Sequence, residues 1–498
     1  MKLERLVSVL SEEEKSRFVM YLGSLNKRKD TKNIDLFKCL VDGMSSKEIP
    51  TALYGNDNKR AYHALRIRLQ KNIIDYLGQD GLQTEALEEV GIYKLVFLGR
   101  KFLQKQHYEI GTEFLFLAEE KAVKVQHYVL LNEIYHSLIQ YAHMSKGLVL
   151  KDLIFVHEQN GKFLIQEEKL NVVYALIQER LSSQLYGDRK EIPSNLVSKL
   201  IEEHQIELTT FKSFKALFQY IKLHLAVAQA RNNYYGFIDR IIEQYEFVKS
   251  VQQDSERQEY YHARLLYSIT NTLFRIKDFK ACQEYNEKLS DLIFKPSFAY
   301  RERFKYKYIL MAALCENYLG DNKAALDTLG RVKLEKVPDF RDRCDIHTIR
   351  FLFLMHAEEH AEAKKWASKM FHSDKYYEDR MGVDWLMKFR LIEIILFFEL
   401  QESDLLESRI RSFKRSFFKY LKDSDQERVV QFLKIVEKIF MQPELVHDAE
   451  FKGLMEASIG ADKPTDEDAF VQSYYGWLKS KVENRNVYEV TLELAHSK

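Results

Sequence analysis

The segment His356-Ala357-Glu358-Glu359-His360 has residue types and spacing that could support metal chemistry. Two histidines four residues apart and a glutamate beside the second can bind zinc when all three project from one continuous helix. A turn inside the segment would separate these ligands. Whether this pattern predicts zinc therefore depends on where the helices end.

Motifs for other kinds of chemistry are absent from the sequence. Its four cysteines, Cys39, Cys282, Cys315 and Cys344, are far apart and form no CxxC pair, which indicates reduced, mostly buried thiols. There is no GxxxxGK[ST] loop, no GxGxxG fingerprint and no GxSxG elbow. We expect no cofactor, no metal and no enzymatic activity.

The composition predicts an all-α protein. The chain has 498 residues with only 18 glycines and 6 prolines, a scarcity that helices tolerate and that turn-rich sheets do not. The segments between these glycines and prolines are rich in Leu, Glu, Lys, Ala and Gln, which lose little entropy in a helix. A single hydrophobic core stops growing near roughly 250 to 300 residues, so an extended or multidomain arrangement is expected.

Charge and hydropathy indicate a cytoplasmic protein. The 75 Lys and Arg residues nearly balance the 74 Asp and Glu residues, and the net charge of +1 favours neither nucleic acid nor membrane over the whole chain. The first residues lack the apolar run and cleavage site of a signal peptide. No stretch approaches the roughly 18 consecutive apolar residues of a membrane span.

Three segments share the order helix, short polar turn, helix, and this repetition is the strongest organising signal. Asp278, Asp321 and Glu359 lie at matching places in the three turns, 43 and 38 residues apart. A small side chain follows each turn by three residues, where two helices could cross closely. The segments are Leu265–Leu289, Ile309–Leu329 and Phe351–Met370, and the small residues are Cys282, Ala325 and Ala363.

This pattern resembles the tetratricopeptide repeat (TPR) of bacterial proteins, in which a Gly-Asp-Tyr-like turn joins two helices and the second helix opens with a small residue. Gln106-His107-Tyr108 with Gly111 fits the same template, and Asn232-Asn233-Tyr234 with Phe237 fits it loosely. The resemblance implies a right-handed superhelical α-solenoid over residues 82–442. About eight to nine hairpins would fit, including two poorly matching ones between Tyr128 and Leu208. The zinc pattern would then contain a turn.

Residues 1–80 break the repeat pattern and indicate a small helical unit. Ser11 is a predicted cap for a helix to about Leu22. Helices are also expected over 34–41, 46–53 and 58–77, and Leu65, Leu69, Ile73, Ile67 and Ile74 should bury much of the last one.

This unit resembles the winged-helix unit fused to tetratricopeptide repeats in some bacterial transcription regulators, which implies DNA contact. The alternative is a cap that seals the first repeat. The last helix is locally basic and carries the candidate nucleic-acid contacts Lys59, Arg60, Arg66 and Arg68.

A second basic segment, 409–422, has an apolar stripe of Ile410, Phe413, Phe417 and Leu421. Such an amphipathic helix can bind an acidic partner, a phosphate backbone or a membrane surface. It can equally be a repeat helix with a cationic solvent face. The candidate contacts are Arg411, Lys414 and Arg415.

Residues 443–498 are predicted to form a loop at 459–464, a helix capped by Thr465 and a tail. Tyr474, Trp477 and Leu478 would seal the last repeat. The alternation of apolar and polar residues over 488–494 is strand-like and indicates either a docking tail or a frayed helix end.

Two functions follow from these features. The first is a non-catalytic scaffold or adaptor that binds a peptide or protein on the concave face of the solenoid, with Asn271, Arg275, Asn317 and Tyr318 as candidate contacts. The two asparagines could instead satisfy backbone groups near helix ends. The alternative is a transcription regulator in which residues 1–80 bind DNA and the repeats sense a partner.

Overall fold

The structure is a computed structural model of the 498-residue chain. The predicted caps Ser11 and Thr465, the turn residues Asn232 and Asn233 and the loop 459–464 lie outside the described residues. The structure describes residues 3–8, 10, 12–25, 31–45, 48–55, 58–84, 88–145, 147–186, 193, 195–207, 213–231, 234–251, 259–298, 300–423, 427–449, 451–453, 455 and 469–496.

The all-α prediction is confirmed, because every regular element in these ranges is helical. None of the described helices is long and apolar enough to cross a membrane. The α-helices are α1 Leu3–Ser8, α2 Glu12–Leu25, α3 Lys32–Val41, α4 Ile49–Tyr54, α5 Lys59–Thr84, α6 Glu88–Gln104, α7 Tyr108–Lys124, α8 Tyr128–Tyr141, α9 Leu150–Tyr186, α10 Leu196–Glu203, α11 Phe214–Arg231, α12 Ile238–Val251, α13 Glu259–Arg275, α14 Phe279–Ile293, α15 Arg301–Tyr318, α16 Asn322–Gly330, α17 Phe340–His356, α18 His360–Ala367, α19 Asp374–Met381, α20 Val383–Glu399, α21 Ser403–Asp423, α22 Glu427–Met441, α23 Ala469–Glu483 and α24 Val487–His496. Short 3₁₀ helices lie at Ala142–Met144, Leu334–Lys336 and Pro443–His447.

The chain divides into two compact units, Met1–Glu158 and Gln159–Lys498. The division falls inside α9, not near residue 81 where the composition changes. Helix α9 is also one continuous helix of 37 residues, where the repeat spacing predicted turns. Its sequence contains no proline, and Gly161 in its interior does not interrupt it.

In the first unit, α1 to α5 enclose a small aromatic core. Phe18 is fully buried, and its ring lies 4.9 Å from that of Phe37 and 5.2 Å from that of Tyr76. Leu65, Leu69 and Ile73 of α5 are buried as predicted. Ile67 and Ile74 are 58% and 48% exposed, because they lie outside the single stripe that α5 buries. Their predicted burial was wrong.

In the second unit, consecutive helices pack in pairs. Helix α13 packs on α14, α15 on α16 and α17 on α18, and each first helix also contacts the next one, in the order α13, α15, α17 and α20. The predicted small residues Cys282, Ala325 and Ala363 are fully buried. Small side chains at these points allow close approach of the paired helices.

A recurring turn ends helices in both units. At nine places in the described chain, a residue with positive φ is followed by an amide that donates to the carbonyl five residues before it. This is the 6→1 hydrogen bond that closes a helix C-terminus. Only two of the nine residues are glycines, and the nine are Gly43, Gln106, Gln126, Gln205, Lys277, Gly320, Glu358, Gln401 and Asn484.

Helices α23 and α24 form a terminal hairpin joined by the turn at Asn484. The two helices cross so closely that a Cβ at Gly476 would lie 2.3 Å from Thr491 Oγ1. The strand-like interpretation of 488–494 was wrong, since these residues belong to α24. Val490 and Thr491 are both buried, which a two-residue alternation cannot predict but a helix facing α23 requires.

Candidate partner-binding groove and a neighbouring polar cavity

A cavity of about 210 Å³ lies where four first helices meet. We call the surface that lines it the first-helix groove. Helices contribute to it in the order α13, α15, α17 and α20, so the groove depends on the stacking of successive hairpins. Its lining residues are Asn271, Phe274, Arg275, Leu310, Leu314, Tyr318, Asp345, Thr348, Ile349, Trp385 and Lys388.

Arg275 and Asn271, two of the four predicted partner contacts, form the polar end of the groove. Arg275 Nε donates to Asn271 Oδ1 at 3.0 Å, and the guanidinium carbon lies 4.9 Å from the centre of the Tyr234 ring. Among the described residues, no carboxylate lies within ion-pair distance of Arg275. Its guanidinium is therefore held in place by an amide oxygen and an aromatic ring.

The opposite wall carries a partly desolvated acid. Asp345 Oδ1 accepts a hydrogen bond from Trp385 Nε1 at 3.1 Å. Burial and the neighbouring Asp342 raise the pKa of Asp345 to about 6. Beside it, Thr348 is 4% exposed, and its Oγ1 has no hydrogen-bond partner in the described part of the chain. The groove wall thus combines a partly desolvated carboxyl group with a buried hydroxyl that has no partner in the described part of the chain.

Asn317 and Tyr318, the other two predicted contacts, lie beneath the surface. Asn317 is fully buried, and its Oδ1 accepts from Asn322 Nδ2 at 2.8 Å at the end of α15. This bond joins two side chains and not a backbone group, and Asn317 Nδ2 has no hydrogen-bond partner among the described residues. As placed, Asn317 cannot reach a partner protein. Tyr318 is 1% exposed and stacks on Phe279, although one side of it lines the groove.

The terminal hairpin explains this burial, because it lies on the same first helices. Tyr318 Oη is 3.2 Å from Ser473 Oγ, and His496 Nε2 is 2.7 Å from the Tyr318 carbonyl oxygen. Tyr488 Oη donates to the carbonyl of Asn317. These pairs join residues 155 to 178 positions apart, so local sequence patterns could not predict them.

Helix α23 is fixed to α20 by a partly buried polar cluster. Lys481 Nζ lies 2.6 and 2.8 Å from the two carboxylate oxygens of Glu399, and Trp477 Nε1 donates to the same carboxylate. Tyr474 Oη donates to the carbonyl of Lys388 at 2.7 Å. Tyr474, Trp477 and Leu478 are buried as predicted, but they pack on α20 as well as on α22 at the end of the array.

A second cavity, of about 280 Å³, lies between α17, α20 and the terminal hairpin. His356 lines it and is 3% exposed. Burial lowers the pKa of His356 to about 3, so the imidazole is neutral at pH 7. Neither of its ring nitrogens has a hydrogen-bond partner among the described residues.

The candidate zinc pattern is broken by a turn, as the repeat alignment predicted. His356 ends α17, Glu358 has a φ of 58°, and His360 is the first residue of α18. No group of three or more His, Cys, Asp or Glu side chains in the described residues is placed to hold a metal ion. Two histidines on different helices cannot use the spacing that makes the pattern a zinc site.

The four candidate basic residues of α5 differ in their contacts within the chain. Lys59 and Arg60 are exposed at its start. Arg66 Nη1 lies 2.6 Å from Glu4 Oε1 and donates to Tyr62 Oη at 3.0 Å. Arg68 donates to the Asn33 amide oxygen at 2.9 and 3.0 Å when that amide is oriented to face it. Two of the four predicted nucleic-acid contacts thus bind α1 and α3 instead.

The basic helix α21 has the predicted stripe, since Ile410, Phe413, Phe417 and Leu421 are all buried. Lys414 Nζ lies 2.7 Å from both oxygens of Glu437, and Arg411 lies 3.9 Å from Glu407. Arg415 is exposed. Part of the cationic face is therefore neutralised within the chain.

Sequence reasoning missed most of the groove. Asp345, Thr348, Trp385 and Lys388 were not singled out, although α17 had been recognised as a first helix. The available signal was their position, since Asp345, Thr348 and Ile349 share one face of α17 at helical spacing. Helix α20 follows the additional helix α19, which displaces Trp385 and Lys388 from the repeat register.

Comparisons with known proteins return no match: no family model, no curated protein and no solved structure is significantly similar to this chain.

Proposed function

We propose that the protein is a non-catalytic scaffold or adaptor whose hairpins over about 82–442 form a right-handed TPR-like α-solenoid. It holds an extended segment of a protein partner in the first-helix groove. One observation carries this proposal: side chains from four successive first helices line a single cavity. Such a surface is what stacked hairpins create for recognising extended chains.

The chemistry of the groove favours a segment that carries a carboxylate next to an apolar side chain. Arg275 offers a guanidinium that is oriented by Asn271 and Tyr234 and lacks a carboxylate partner in the described chain. A planar guanidinium binds carboxylates with two parallel hydrogen bonds. Phe274, Leu310 and Leu314 supply the apolar floor beside it.

The decisive experiment is affinity capture of the tagged full-length protein from its own cells, with quantitative mass spectrometry. We expect a partner that the wild type captures and that the Arg275→Glu variant captures in an amount at least about tenfold lower. Reversing the charge at a guanidinium that contacts the partner costs about 2 kcal/mol or more of binding free energy. Lys280→Glu is the matched control, because Lys280 is exposed on the second helix α14. It should capture the same partner as the wild type.

Circular dichroism and thermal melting must show that both variants are folded. Identical partner sets for Arg275→Glu and the wild type would contradict binding in this groove, whatever else the protein captures.

The alternative function, a transcription regulator that reads DNA through residues 1–80, has less support. Arg66 and Arg68 bind Glu4 and Asn33, so DNA contact would have to break these bonds. A gel-shift experiment at low salt tests this alternative directly. Binding that weakens steeply with salt and is abolished by Arg66→Ala with Arg68→Ala would restore it.

A further inference from the structure

Two thiols face each other across a contact between successive hairpins. Cys282 lies in the first turn of α14, and Cys315 lies near the end of α15. Their sulfur atoms are 3.0 Å apart, and the two residues are 0% and 2% exposed. One sulfur is therefore packed directly on the other, and the gap is only about 1 Å longer than a disulfide bond.

Helix packing alone does not require a cysteine at position 282. The equivalent positions in the next two hairpins hold Ala325 and Ala363, and both alanines are fully buried. A methyl group thus fills this crossing elsewhere in the array. What the cysteine adds is a sulfur atom that reaches Cys315 on the following hairpin.

The other two cysteines have no such neighbour. All four thiols are free, and Cys282 and Cys315 form the only sulfur–sulfur contact among the described residues. Cys344 is 3% exposed on α17, and Cys39 is partly exposed on α3. Any bond that joins two cysteines of the folded chain should therefore form between positions 282 and 315.

We propose that Cys282 and Cys315 are an oxidation site, at which a peroxide converts the two thiols into a disulfide that joins α14 to α15. One sulfur attacks a peroxide oxygen as its thiolate, the O–O bond breaks, and a sulfenic acid and hydroxide form. The hydroxide takes up the proton that the first thiol released.

The second sulfur then attacks the sulfenic sulfur and an S–S bond forms. The S–OH oxygen leaves as water with the proton of the second thiol. Two thiols and one hydrogen peroxide thus give one disulfide and two waters. Both sulfurs are oxidised and the peroxide is reduced.

The environment of the pair sets the rates of these two steps. The hydrogen bond with Cys315 and burial raise the pKa of the Cys282 thiol, so little of it is thiolate near neutral pH and the first step should be slow. The second step should be fast, because the partner sulfur is already in place. We therefore expect the disulfide to form under sustained exposure to peroxide and to outcompete further oxidation to sulfinic acid.

The disulfide would lie behind the first-helix groove. Leu314 and Tyr318 of α15 line the groove, and Tyr318 stacks on Phe279 of α14 with 5.2 Å between the ring centres. A bond between the same two helices should limit their separation. It joins residues 33 positions apart, so it should also stabilise the fold by restricting the unfolded chain.

The test is peptide mass spectrometry of reduced full-length protein that is treated with hydrogen peroxide, then denatured and blocked with N-ethylmaleimide. Trypsin should release peptide 281–288 linked to peptide 308–323. We expect this linked pair to exceed every other disulfide-linked pair by at least about tenfold, and dithiothreitol should remove it. Cys344→Ala is the matched control, because Cys344 is equally buried and its loss should leave the linked pair unchanged.

Two results would overturn the proposal. The first is linkage of Cys39 or Cys344 in comparable amounts, which would show that the thiols meet in the unfolded chain. The second is recovery of Cys282 and Cys315 as blocked thiols, or as separate sulfinic acids, at a peroxide dose that oxidises the partly exposed Cys39.

Thermal melting is the second measurement. Peroxide treatment should raise the melting temperature of the wild type by about 5 °C. It should leave Cys282→Ala unchanged, and this variant should fold because alanine fills the equivalent positions 325 and 363. The same rise in Cys282→Ala would place the oxidation elsewhere, and no rise in the wild type would contradict a bond that restricts α14 and α15. Neither measurement needs a partner, so this proposal and partner capture through Arg275 can fail separately.

Discussion

In the amino-terminal cluster α1–α5, Arg66 is 2.6 Å from Glu4, whereas in the first-helix groove Arg275 has no carboxylate partner among the described residues. Both regions are stacks of amphipathic helices with aromatic cores. The first uses Arg66 and Arg68 to join its own helices, whereas the second holds Arg275 with an amide oxygen and an aromatic ring. The difference separates a region whose arginines hold its own helices together from the region in which we propose that a partner binds.

The largest expected effect is in the amino-terminal cluster. Phe18→Ala should lower the free energy of unfolding of the first unit by about 3 to 5 kcal/mol, because it removes a fully buried ring. Urea denaturation and hydrogen exchange in α2, α3 and α5 measure this. Met20→Ala on the same helix is the control, since Met20 is 67% exposed. If Phe18→Ala also lost the partner whose capture requires Arg275, the amino-terminal cluster and the groove would not be functionally separate.

The terminal hairpin should be the most sensitive point near the groove. In Gly476→Ala the new Cβ would lie 2.3 Å from Thr491 Oγ1 and 3.0 Å from its Cα, so α23 and α24 must separate. We expect a cost of roughly 1 to 3 kcal/mol and faster hydrogen exchange in α24 and at the end of α15. Gly161→Ala has no atom within 4 Å of the new Cβ and should instead stabilise α9 slightly. Equal exchange in wild type and Gly476→Ala would show that the crossing is not tight.

The pH dependence of the free energy of unfolding tests whether the Asp345 carboxylate in the groove is desolvated. Its folded pKa is raised from 3.8 to about 6, so the folded state binds the proton more tightly and stability falls as pH rises through this range. Asp345→Asn should be more stable than the wild type by about 1 to 2 kcal/mol above pH 6, and this advantage should vanish below about pH 4. Thermal melting at the two pH values measures it.

Asp291→Asn, on an exposed position of α14, is the control for Asp345→Asn. It should change stability by less than about 0.5 kcal/mol at both pH values. A pH-independent effect of Asp345→Asn would mean that the carboxylate is not desolvated.

The smallest effect concerns the turn that both units share. Gln106 has a φ of 62°, a conformation that costs a non-glycine residue energy. Gln106→Gly should therefore raise the free energy of unfolding by up to about 1 kcal/mol, seen as a slightly higher melting temperature. Gly320→Ala at the equivalent position should lower it by a similar amount, since Gly320 has a φ of 106°. The same sign for both substitutions would contradict the equivalence of these turns.

Sequence patterns predicted local structure better than they predicted contacts. The sequence predicted the turns at Lys277, Gly320 and Glu358 and the small residues after them. Both signals, helix spacing and side-chain size, come from residues that are close together in the sequence. The equivalent turns at Gln126, Gln205 and Gln401 were missed, since glutamine carries no turn signal and its positive φ is imposed by the helices on either side.

The candidate site was predicted only in part for the same reason. Asn271 and Arg275 were identified because they lie on a first helix and remain accessible in the groove. Asn317 and Tyr318 satisfied the same criterion, yet a hairpin more than 150 positions later in the chain covers them. His356 was considered only as a metal ligand, because nothing in its neighbourhood in the sequence predicts a cavity.

The distance along the chain between the terminal hairpin and its docking surface has a consequence for the order of folding. Paired helices of the array meet over short loops, and such local contacts form early and fast. The hairpin closes loops of more than 150 residues, which is entropically costlier and requires that α15, α17 and α20 already be stacked. We therefore expect the hairpin to dock only after α15, α17 and α20 have stacked, and this docking to be the slower step in refolding.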